Sequence, residues 1–206
     1  MYRFFKRLID IVLSLLGIII LSPVMLIAGI AVAVSSKGPM LFKQTRVGRK
    51  KKLFLMYKFR SMYVDTPENM PTHLLTNADS HITPVGKFLR KTSMDELPQL
   101  FNILVGHMSI VGPRPALPNQ TELIAERDKY GANDIRPGLT GWAQVNGRDE
   151  LCDMDKARFD GEYCRRIGFF FDVKCFFMTV GKVATSDGVV EGGGSSAKDN
   201  SDNAEQ

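Results

Sequence analysis

The sequence has few of the residues that build disulfide frameworks or metal centres. Among 206 residues there are three cysteines and three histidines. They are Cys152, Cys164 and Cys175, and His73, His81 and His107. Their spacing does not match a metal site, and an odd number of cysteines argues against a framework of paired disulfides. We therefore expect reduced thiols, as in a cytoplasmic compartment.

A second absence is that of charge near the N-terminus. No charged residue occurs from Ile11 to Val34, a run of about 24 positions that is long enough, as a helix, to cross a bilayer core of roughly 30 Å. The run is too long for a secretory signal peptide and lacks the small-residue cleavage site of one. A transmembrane helix is therefore one interpretation.

Two features favour a different course, in which the chain enters the membrane and returns. Ser22-Pro23 lies at the midpoint of the run, where proline removes an amide and bends a helix. Basic residues flank the run on both sides, so the positive-inside rule places both flanks in the cytoplasm. They are Arg3, Lys6 and Arg7 before the run, and Lys37, Lys43, Arg46, Arg49, Lys50, Lys51 and Lys52 after it. From the residues alone, a spanning helix and a re-entrant helix-break-helix over residues 1–36 both stay open.

Acidic residues are concentrated at the C-terminus. The whole chain carries a formal charge of +5, yet the segment 187–206 holds five acids and one lysine. The rest of the chain is therefore more basic than the whole, which suits anionic lipid headgroups, nucleotide phosphates or nucleic acid. Because the segment 187–206 is also rich in glycine and serine, we expect it to be a disordered acidic tail.

The residues most suited to chemistry lie in the stretch 91–115. The adjacent acids Asp95 and Glu96 are followed by apolar residues at helical spacing, so we expect them to open a short amphipathic helix. A carboxylate there is stabilised as an anion by about 0.3–1 kcal/mol, and free helix amides bind phosphate. The alternative is a capping box, in which Glu96 reaches back to the amide of Ser93. Arg114 favours the chemical interpretation, because flanking prolines fix its backbone and a fixed guanidinium binds phosphate through two hydrogen bonds.

Further cations occur where they would surround a phosphate. We expect two extended segments joined by a basic turn within residues 40–62, and a period of two puts Lys58 and Arg60 on one strand face. A solvated strand edge would give the same pattern. A short helix beginning at Pro84 would carry Arg90 towards the acidic pair.

Two later segments have open interpretations. Arg136 and Arg148 bracket a run with three glycines, and such a run lets backbone amides approach a diphosphate that the arginines clamp. A plain turn-rich loop is the alternative. Residues 159–183 interleave aromatic and basic side chains, which is typical of a helix in the membrane interface, although a buried core helix fits nearly as well.

Four motifs in a fixed order resemble those of a known family. They are Tyr57-Lys-Phe-Arg-Ser-Met62, Thr92-Ser-Met-Asp-Glu-Leu-Pro-Gln99, Val111-Gly-Pro-Arg-Pro115 and Arg136-Pro-Gly-Leu-Thr-Gly-Trp142. With the Ser22-Pro23 segment, they make the chain similar to the small monotopic phosphoglycosyl transferases of the bacterial sugar transferase family, over about residues 1–186. Its small size makes it most similar to the members that open lipid-linked pathways of protein N-glycosylation.

The resemblance implies transfer of a sugar-1-phosphate from a UDP-sugar to undecaprenyl phosphate, with release of UMP and with Mg²⁺ as cofactor. Asp95 matches the family's nucleophile, which carries a covalent phosphosugar, and Glu96 completes the dyad; both acids are expected at the metal. The cations expected around the phosphates are Lys58, Arg60, Arg90, Arg114, Arg136 and Arg148. Diacetylbacillosamine, N-acetylhexosamine and hexose donors all stay open.

The resemblance also favours the re-entrant course at Ser22-Pro23. It implies a monotopic protein on the cytoplasmic face of the bacterial inner membrane, with a catalytic domain over residues 37–186. The expected fold is mixed α/β, mainly helical and compact, with a small β-hairpin and interfacial amphipathic helices.

The expected partners are inner-membrane lipids and downstream glycosyltransferases of a glycoconjugate pathway. No nucleic acid is expected, because few exposed aromatics alternate with basic residues outside the membrane-facing parts. The alternative function is a non-catalytic protein that docks a glycan assembly complex on the membrane. Such a protein would tolerate loss of both acids.

Overall fold

The computed structural model describes residues 2–67, 78–147 and 151–185. The helices are α1 (Tyr2–Ser35), α2 (Ala78–His81), α3 (Pro84–Lys91), α4 (Gln99–Val105), α5 (Thr121–Lys129), α6 (Trp142–Val145), α7 (Asp153–Arg166) and α8 (Phe169–Thr185). The strands are β1 (Leu41–Val47), β2 (Leu53–Phe59), β3 (Ser109–Val111) and β4 (Gly138–Thr140). The expected mainly helical fold with a small sheet is confirmed. His73, Arg148 and the segment 187–206 lie outside the described residues.

The predicted hairpin is formed by β1 and β2. The two strands pair antiparallel, with Phe42 opposite Lys58 and a one-turn 3₁₀ helix, Arg49–Lys51, between them. Phe54 and Met56 alternate with exposed residues and pack their side chains against α4. The face of β2 that carries Lys58 is therefore turned towards the protein interior and is not a solvated edge.

Helix α1 packs against the rest of the protein along both of its halves. Ile18 and Leu21 contact the cluster formed by β2 and α4. Further along, Ala28 and Val32 are buried against Phe59 of β2 and against α3. This spacing of three to four residues gives α1 one stripe that faces the protein.

The Ser22-Pro23 pair lies inside α1, which the structure assigns as one helix instead of two helices separated by a break. Proline leaves the carbonyl four residues earlier without its helical amide partner, and here that carbonyl belongs to Ile19. The hydroxyl of Ser22 donates to this carbonyl at 2.8 Å. Serine thus replaces the missing hydrogen bond, which explains how the helix continues through Pro23. The re-entrant course of the segment stays a prediction.

The other face of α1 is apolar and exposed. Ile20 and Ile27, for example, are 70% and 67% exposed. Within the described residues, α1 is the one helix that is long and apolar enough to cross a membrane. So much exposed hydrocarbon side chain on one helix indicates contact with lipid or with another apolar surface.

A second layer packs α6, α7 and α8 against the parallel pair β3–β4. Trp142 and Phe171 lie with ring centroids 4.9 Å apart, and the hydroxyl of Tyr163 donates to Asp172 at 2.7 Å. On α8, Phe170 is 85% exposed although Phe171 is buried. The helix therefore combines the two interpretations of this segment, with one face in the core and an aromatic face outside it.

The glycines of the run from Arg136 serve the packing of the backbone. A Cβ on Gly138 would lie 2.2 Å from the amide nitrogen of Gly112. A Cβ on Gly141 would lie 2.0 Å from the carbonyl oxygen of Gly112. Any side chain at either position would push β3 and β4 apart. Packing therefore explains Gly138 and Gly141 without a ligand, and the diphosphate cradle stays a prediction.

Candidate active site

Asp95 and Glu96 lie in a one-turn 3₁₀ helix, Met94–Glu96, that precedes α4. We expected them to open the α-helix itself, but Pro98 has no amide to give to the Met94 carbonyl. The amide of Leu97 bonds that carbonyl instead, at 3.2 Å, which is the tighter 3₁₀ pattern. The capping box is absent from this turn, since Ser93 is left-handed, with φ 55°, and its side chain makes no cap hydrogen bond.

The two neighbouring acids have different surroundings. Glu96 Oε1 accepts from Lys58 Nζ at 2.7 Å and from Arg114 Nη2 at 3.2 Å. Asp95 is buried, and it takes part in none of the ion pairs of the described chain. Glu96 therefore anchors the cations, while the carboxylate of Asp95 keeps its lone pairs available for another group.

Burial raises the pKa of Asp95 above its usual range. The positive charge of Lys58 opposes this shift, the negative charge of Glu96 adds to it, and Arg90 and Arg114 oppose it more weakly. These three cations lie close enough to act on Asp95 without pairing with it. They form a positive frame around a carboxylate that is costly to ionise.

Asn102 of α4 holds β2 in the position that this frame requires. Its side-chain amide donates to the Leu55 carbonyl at 2.7 Å, and its Oδ1 accepts from the Tyr57 amide at 3.0 Å. The fully buried side chain of Asn102 thus makes the hydrogen bonds that a neighbouring strand would make along the free edge of β2. Lys58, the next residue of β2, is thereby fixed over Glu96.

Asp95 lines a cavity of about 420 Å³ that is rich in cations. Lys58 and Arg90 line it, as the sequence led us to expect. Its polar and charged lining residues include Lys43, Gln44, Arg46, Lys58, Arg60, Arg90 and Asp95. The volume and the charges suit a nucleoside diphosphate bound beside Asp95.

Sequence reasoning missed Gln44 and Arg46 of β1 as candidates for this cavity. Gln44 pairs with Met56 across the hairpin, and Arg46 pairs with Phe54. Residues directly opposite each other in an antiparallel pair point to the same face, so both share the face of Lys58. Arg46 also donates to the carbonyl of Pro115 at 3.0 Å. The hairpin register was the signal that could have identified them.

Arg60 has a different role from the predicted phosphate contact. It is buried, and its guanidinium donates to the carbonyls of Pro39 and Ser36 at 2.7 and 2.6 Å. These carbonyls follow the C-terminal end of α1, where the helix leaves acceptors without amide partners. Arg60 therefore fastens the end of α1 to the hairpin of β1 and β2, and it contributes to the cavity by fixing the position of these two elements.

Arg136 is also placed elsewhere. Its Nε donates to the carbonyl of Gly106 at 2.9 Å, and it lines a separate cavity beneath the start of α1. Of the predicted cations, the structure brings Lys58, Arg90 and Arg114 to the acidic pair and does not bring Arg136. Arg148 lies outside the described residues.

A third cavity, of about 400 Å³, opens on the other side of the acidic pair. Glu96 lines it together with apolar side chains from β4, α6 and α8, among them Leu139, Val145 and Val180. Phe176 of α8 also lines it and is 45% exposed. The acidic pair thus lies between a cationic cavity and an apolar one.

The acids fit a hard cation only in company with a ligand. Within the described ranges, no group of three or more His, Cys, Asp or Glu side chains could hold a metal ion. Mg²⁺ is commonly held by one or two carboxylates together with substrate phosphates and water. Asp95 and Glu96 fit that arrangement when a diphosphate occupies the cationic cavity.

Comparisons with known proteins identify the family to which the chain belongs. Residues 1–186 match the family described as bacterial sugar transferase. The chain is 43% identical to the UDP-glucose:undecaprenyl-phosphate glucose-1-phosphate transferase of Escherichia coli over 87% of this chain and 40% of that protein. It is 38% identical to the undecaprenyl-phosphate galactose phosphotransferase of Salmonella typhimurium, over 90% of this chain and 42% of that protein.

A relative of similar length is also found. An uncharacterized sugar transferase of Bacillus subtilis, EpsL, is 38% identical over 89% of each chain. By contrast, the chain spans about two fifths of the length of the Escherichia coli and Salmonella relatives. The matched region is therefore one that family members carry both with and without further sequence.

Proposed function

Because the chain belongs to the bacterial sugar transferase family, we propose that it transfers a sugar-1-phosphate from a UDP-sugar to undecaprenyl phosphate and releases UMP. Relatives are named for UDP-glucose, galactose and N-acetylgalactosamine reactions with undecaprenyl phosphate. The observation that carries the proposal is that Glu96 pairs with Lys58 and Arg114, while the buried carboxylate of Asp95 beside it forms no ion pair with a described residue.

In the first step, an oxygen of Asp95 attacks the phosphorus that bears the sugar. The bond from that phosphorus to the bridging oxygen breaks, the electron pair leaves with UMP, and a phosphosugar stays on the carboxylate. In the second step, an oxygen of undecaprenyl phosphate attacks the same phosphorus. The bond to Asp95 then breaks, the carboxylate is restored, and the lipid carries a diphosphate-linked sugar.

The cations stabilise the charge that this exchange moves. Lys58 and Arg114 are held in place by Glu96 at 2.7 and 3.2 Å, so they need little rearrangement to meet the transferring phosphoryl group. Arg90 acts on Asp95 from the neighbouring helix α3. Prepositioned charges of this kind supply much of the catalysis in phosphoryl transfer.

Mg²⁺ fits this scheme as a cofactor held by Asp95 or Glu96 together with the donor phosphates. When bound, it would neutralise charge on the diphosphate. The chain's own residues bind and orient the donor.

We place the two substrates in the two cavities that flank the acids. The cationic cavity at Asp95 suits the uridine diphosphate portion of the donor. The apolar cavity at Glu96 suits the first isoprene units of the acceptor, since it is open towards the exposed aromatic face of α8. This arrangement lets a lipid phosphate reach the phosphorus while its chain stays in an apolar environment.

We also propose that α1 enters the membrane from the cytoplasmic face and returns at Ser22-Pro23. Arg7 near its start donates to the carbonyls of Ile103 and Leu104 at 2.6 and 2.8 Å, and Arg60 fastens its end. Contacts of both ends with the same domain support a monotopic arrangement. Labelling of single cysteines at residues 2 and 198 in intact cells tests it, and periplasmic labelling at only one of them would establish a span.

Purified protein incubated with undecaprenyl phosphate, Mg²⁺ and a panel of UDP-sugars tests the reaction. UDP-glucose, UDP-galactose, UDP-N-acetylgalactosamine and UDP-diacetylbacillosamine are the donors to compare. We expect UMP release with at least one donor, dependent on the lipid acceptor for continued turnover. UMP release that is absent with every donor, from protein that still binds membranes, would favour the non-catalytic docking function.

A further inference from the structure

A cavity of about 200 Å³ lies beneath the first turns of α1, and it shares no lining residue with the cavity at Asp95. Arg3 and Arg7 of α1 line it, together with Arg49 of the hairpin turn and Arg136 before β4. Four arginines thus converge from three separate parts of the chain. None of them is needed for the phosphoryl transfer proposed above.

The cavity carries excess positive charge. Its fifth cation, Lys6, is balanced by Asp172, whose Oδ2 lies 2.7 Å away. The four arginines then face two lining aspartates, Asp10 and Asp134. Asp10 is buried and accepts from the amide of Ile110 at 3.0 Å, so part of its charge is already engaged.

Backbone carbonyls hold Arg7, Arg49 and Arg136 in place without neutralising them. Arg49 donates to the carbonyl of Asp134 at 3.1 Å, and Arg136 to that of Gly106 at 2.9 Å. Burial lowers the pKa of Arg136, and the neighbouring charges of Arg7 and Arg49 lower it further. Guanidinium groups fixed next to one another in this way form a ready site for an anion with several acceptor oxygens.

The surroundings of the cavity indicate the source of that anion. Phe4 lines it and is 76% exposed, at the point where the exposed apolar face of α1 begins. Ile167 also lines it and lies two residues before Phe169 of α8, which is 51% exposed. Apolar side chains around a basic cavity are typical of a protein surface at the depth of lipid headgroups.

We infer that this cavity binds the phosphate of an anionic phospholipid headgroup, such as phosphatidylglycerol, and holds the start of α1 at the membrane interface. The inference is independent of the transfer reaction, since its residues and its ligand are different. A free phosphate ion offers the same oxygens but not the acyl chains that the exposed phenylalanines would contact.

Native mass spectrometry of the full chain in a neutral maltoside detergent tests the inference. The probe is dihexanoylphosphatidylglycerol, with dihexanoylphosphatidylcholine as the lipid of equal chain length and no net charge. The variant combines Arg3→Gln and Arg49→Gln, two exposed positions whose loss should leave the fold intact. We expect binding of the anionic lipid about twenty-fivefold weaker than in the unchanged protein, from roughly a fivefold loss for each of the two arginines.

The matched control combines Lys129→Gln and Arg158→Gln, which remove the same charge from side chains 63% and 65% exposed on α5 and α7. It should bind the anionic lipid as the unchanged protein does. An equal loss in this control, or equal binding of the zwitterionic lipid, would overturn the inference. Displacement of the lipid by an equal concentration of inorganic phosphate would assign the cavity to a free anion and would likewise overturn it.

Discussion

Two buried aspartates, Asp95 and Asp160, differ in what their carboxylates contact, and the difference separates the proposed nucleophile from a structural carboxylate. Asp160 of α7 is fully buried, and its Oδ2 accepts from Arg127 of α5 at 2.8 Å from Nε and 2.6 Å from Nη2. Asp95 is almost as deeply buried, yet it forms no ion pair with any described residue.

Burial raises the pKa of both carboxyls, and nearby cations oppose the shift in both. The difference lies in contact. Arg127 pairs with Oδ2 of Asp160, whereas Lys58 and Arg114 pair with Glu96 and leave Asp95 open towards its cavity. Glu96, the neighbouring acid that holds the cations, therefore keeps the proposed nucleophile Asp95 available.

The largest effect is expected from Asp95→Asn. We expect turnover to fall about a thousandfold or more, since the amide is a poor nucleophile. The same change should raise the Tm in detergent. The pKa of Asp95 is higher in the folded protein than in the unfolded chain. The native protein therefore loses stability as the pH rises from the unfolded pKa through the folded pKa. Asparagine does not ionise, so the substitution removes that loss. Activity assays and thermal unfolding at neutral pH measure the two effects, and a lowered Tm would contradict the account of Asp95.

Asp160→Asn should give the opposite result. Burial raises the pKa of Asp160 too, which by itself would favour asparagine, but the substitution also leaves the buried guanidinium of Arg127 without a counter-charge. This second cost is the larger one, and we expect a loss of about 3–5 kcal/mol in the free energy of unfolding. Denaturant unfolding measures it. The control is the double variant Arg127→Met with Asp160→Leu, which removes both charges and should be more stable than the single variant. If Asp160→Asn left the stability unchanged, the contrast between the two aspartates would be lost.

A smaller effect should follow from Asn102→Ala, which tests how the frame around Asp95 is held. The substitution removes the partners of the Leu55 carbonyl and the Tyr57 amide, at about 1–3 kcal/mol for each buried group. Because Lys58 follows these residues, turnover should fall as well. Asn146→Ala, which removes one hydrogen bond to the Trp142 carbonyl, is the control and should leave turnover unchanged. Full turnover in Asn102→Ala would show that Lys58 needs no such support.

The smallest effect concerns the pH dependence of UMP release in the absence of acceptor. Asp95 must be ionised to attack, and its raised pKa places the loss of activity on acidification above the range of an ordinary aspartate. Lys58→Met removes the strongest opposing charge and should move this limb to higher pH. Lys91→Met, an exposed change on α3, should not move it. An unmoved limb in Lys58→Met would assign the titration to another group.

The sequence predicted the elements that depend on local pattern. The alternation within residues 40–62 predicted an extended segment that the structure gives as β2, Leu53–Phe59. The Pro84 start predicted α3, which the structure gives as Pro84–Lys91. Adjacent acids followed by a proline and an apolar repeat marked the candidate site correctly as a place where charges meet. These features are visible in sequence because they act over a few residues.

The parts that sequence reasoning missed depend on contacts between distant residues. Arg60 binds carbonyls more than twenty positions earlier, and Arg136 lies with Arg7 because β4 pairs with β3 beneath α1. The arginines of the four motifs look alike in the sequence. The fold places Arg60 at the end of α1, Arg114 at the acidic pair and Arg136 at a separate cavity. The charge pattern identified lysines and arginines of the kind that bind phosphate. Only the fold shows which of these residues lie at the acidic pair and which lie at other sites.

The central claim is that Asp95 becomes covalently linked to the phosphosugar. Rapid-quench mass spectrometry of the purified protein with UDP-sugar and Mg²⁺, without undecaprenyl phosphate, tests it most directly. We expect a sugar-phosphate increment on the peptide that contains Asp95, its absence in Asp95→Asn, and parallel initial-rate lines when both substrates are varied. An unmodified peptide at every quench time, together with intersecting lines, would contradict it and would require direct attack by the lipid phosphate.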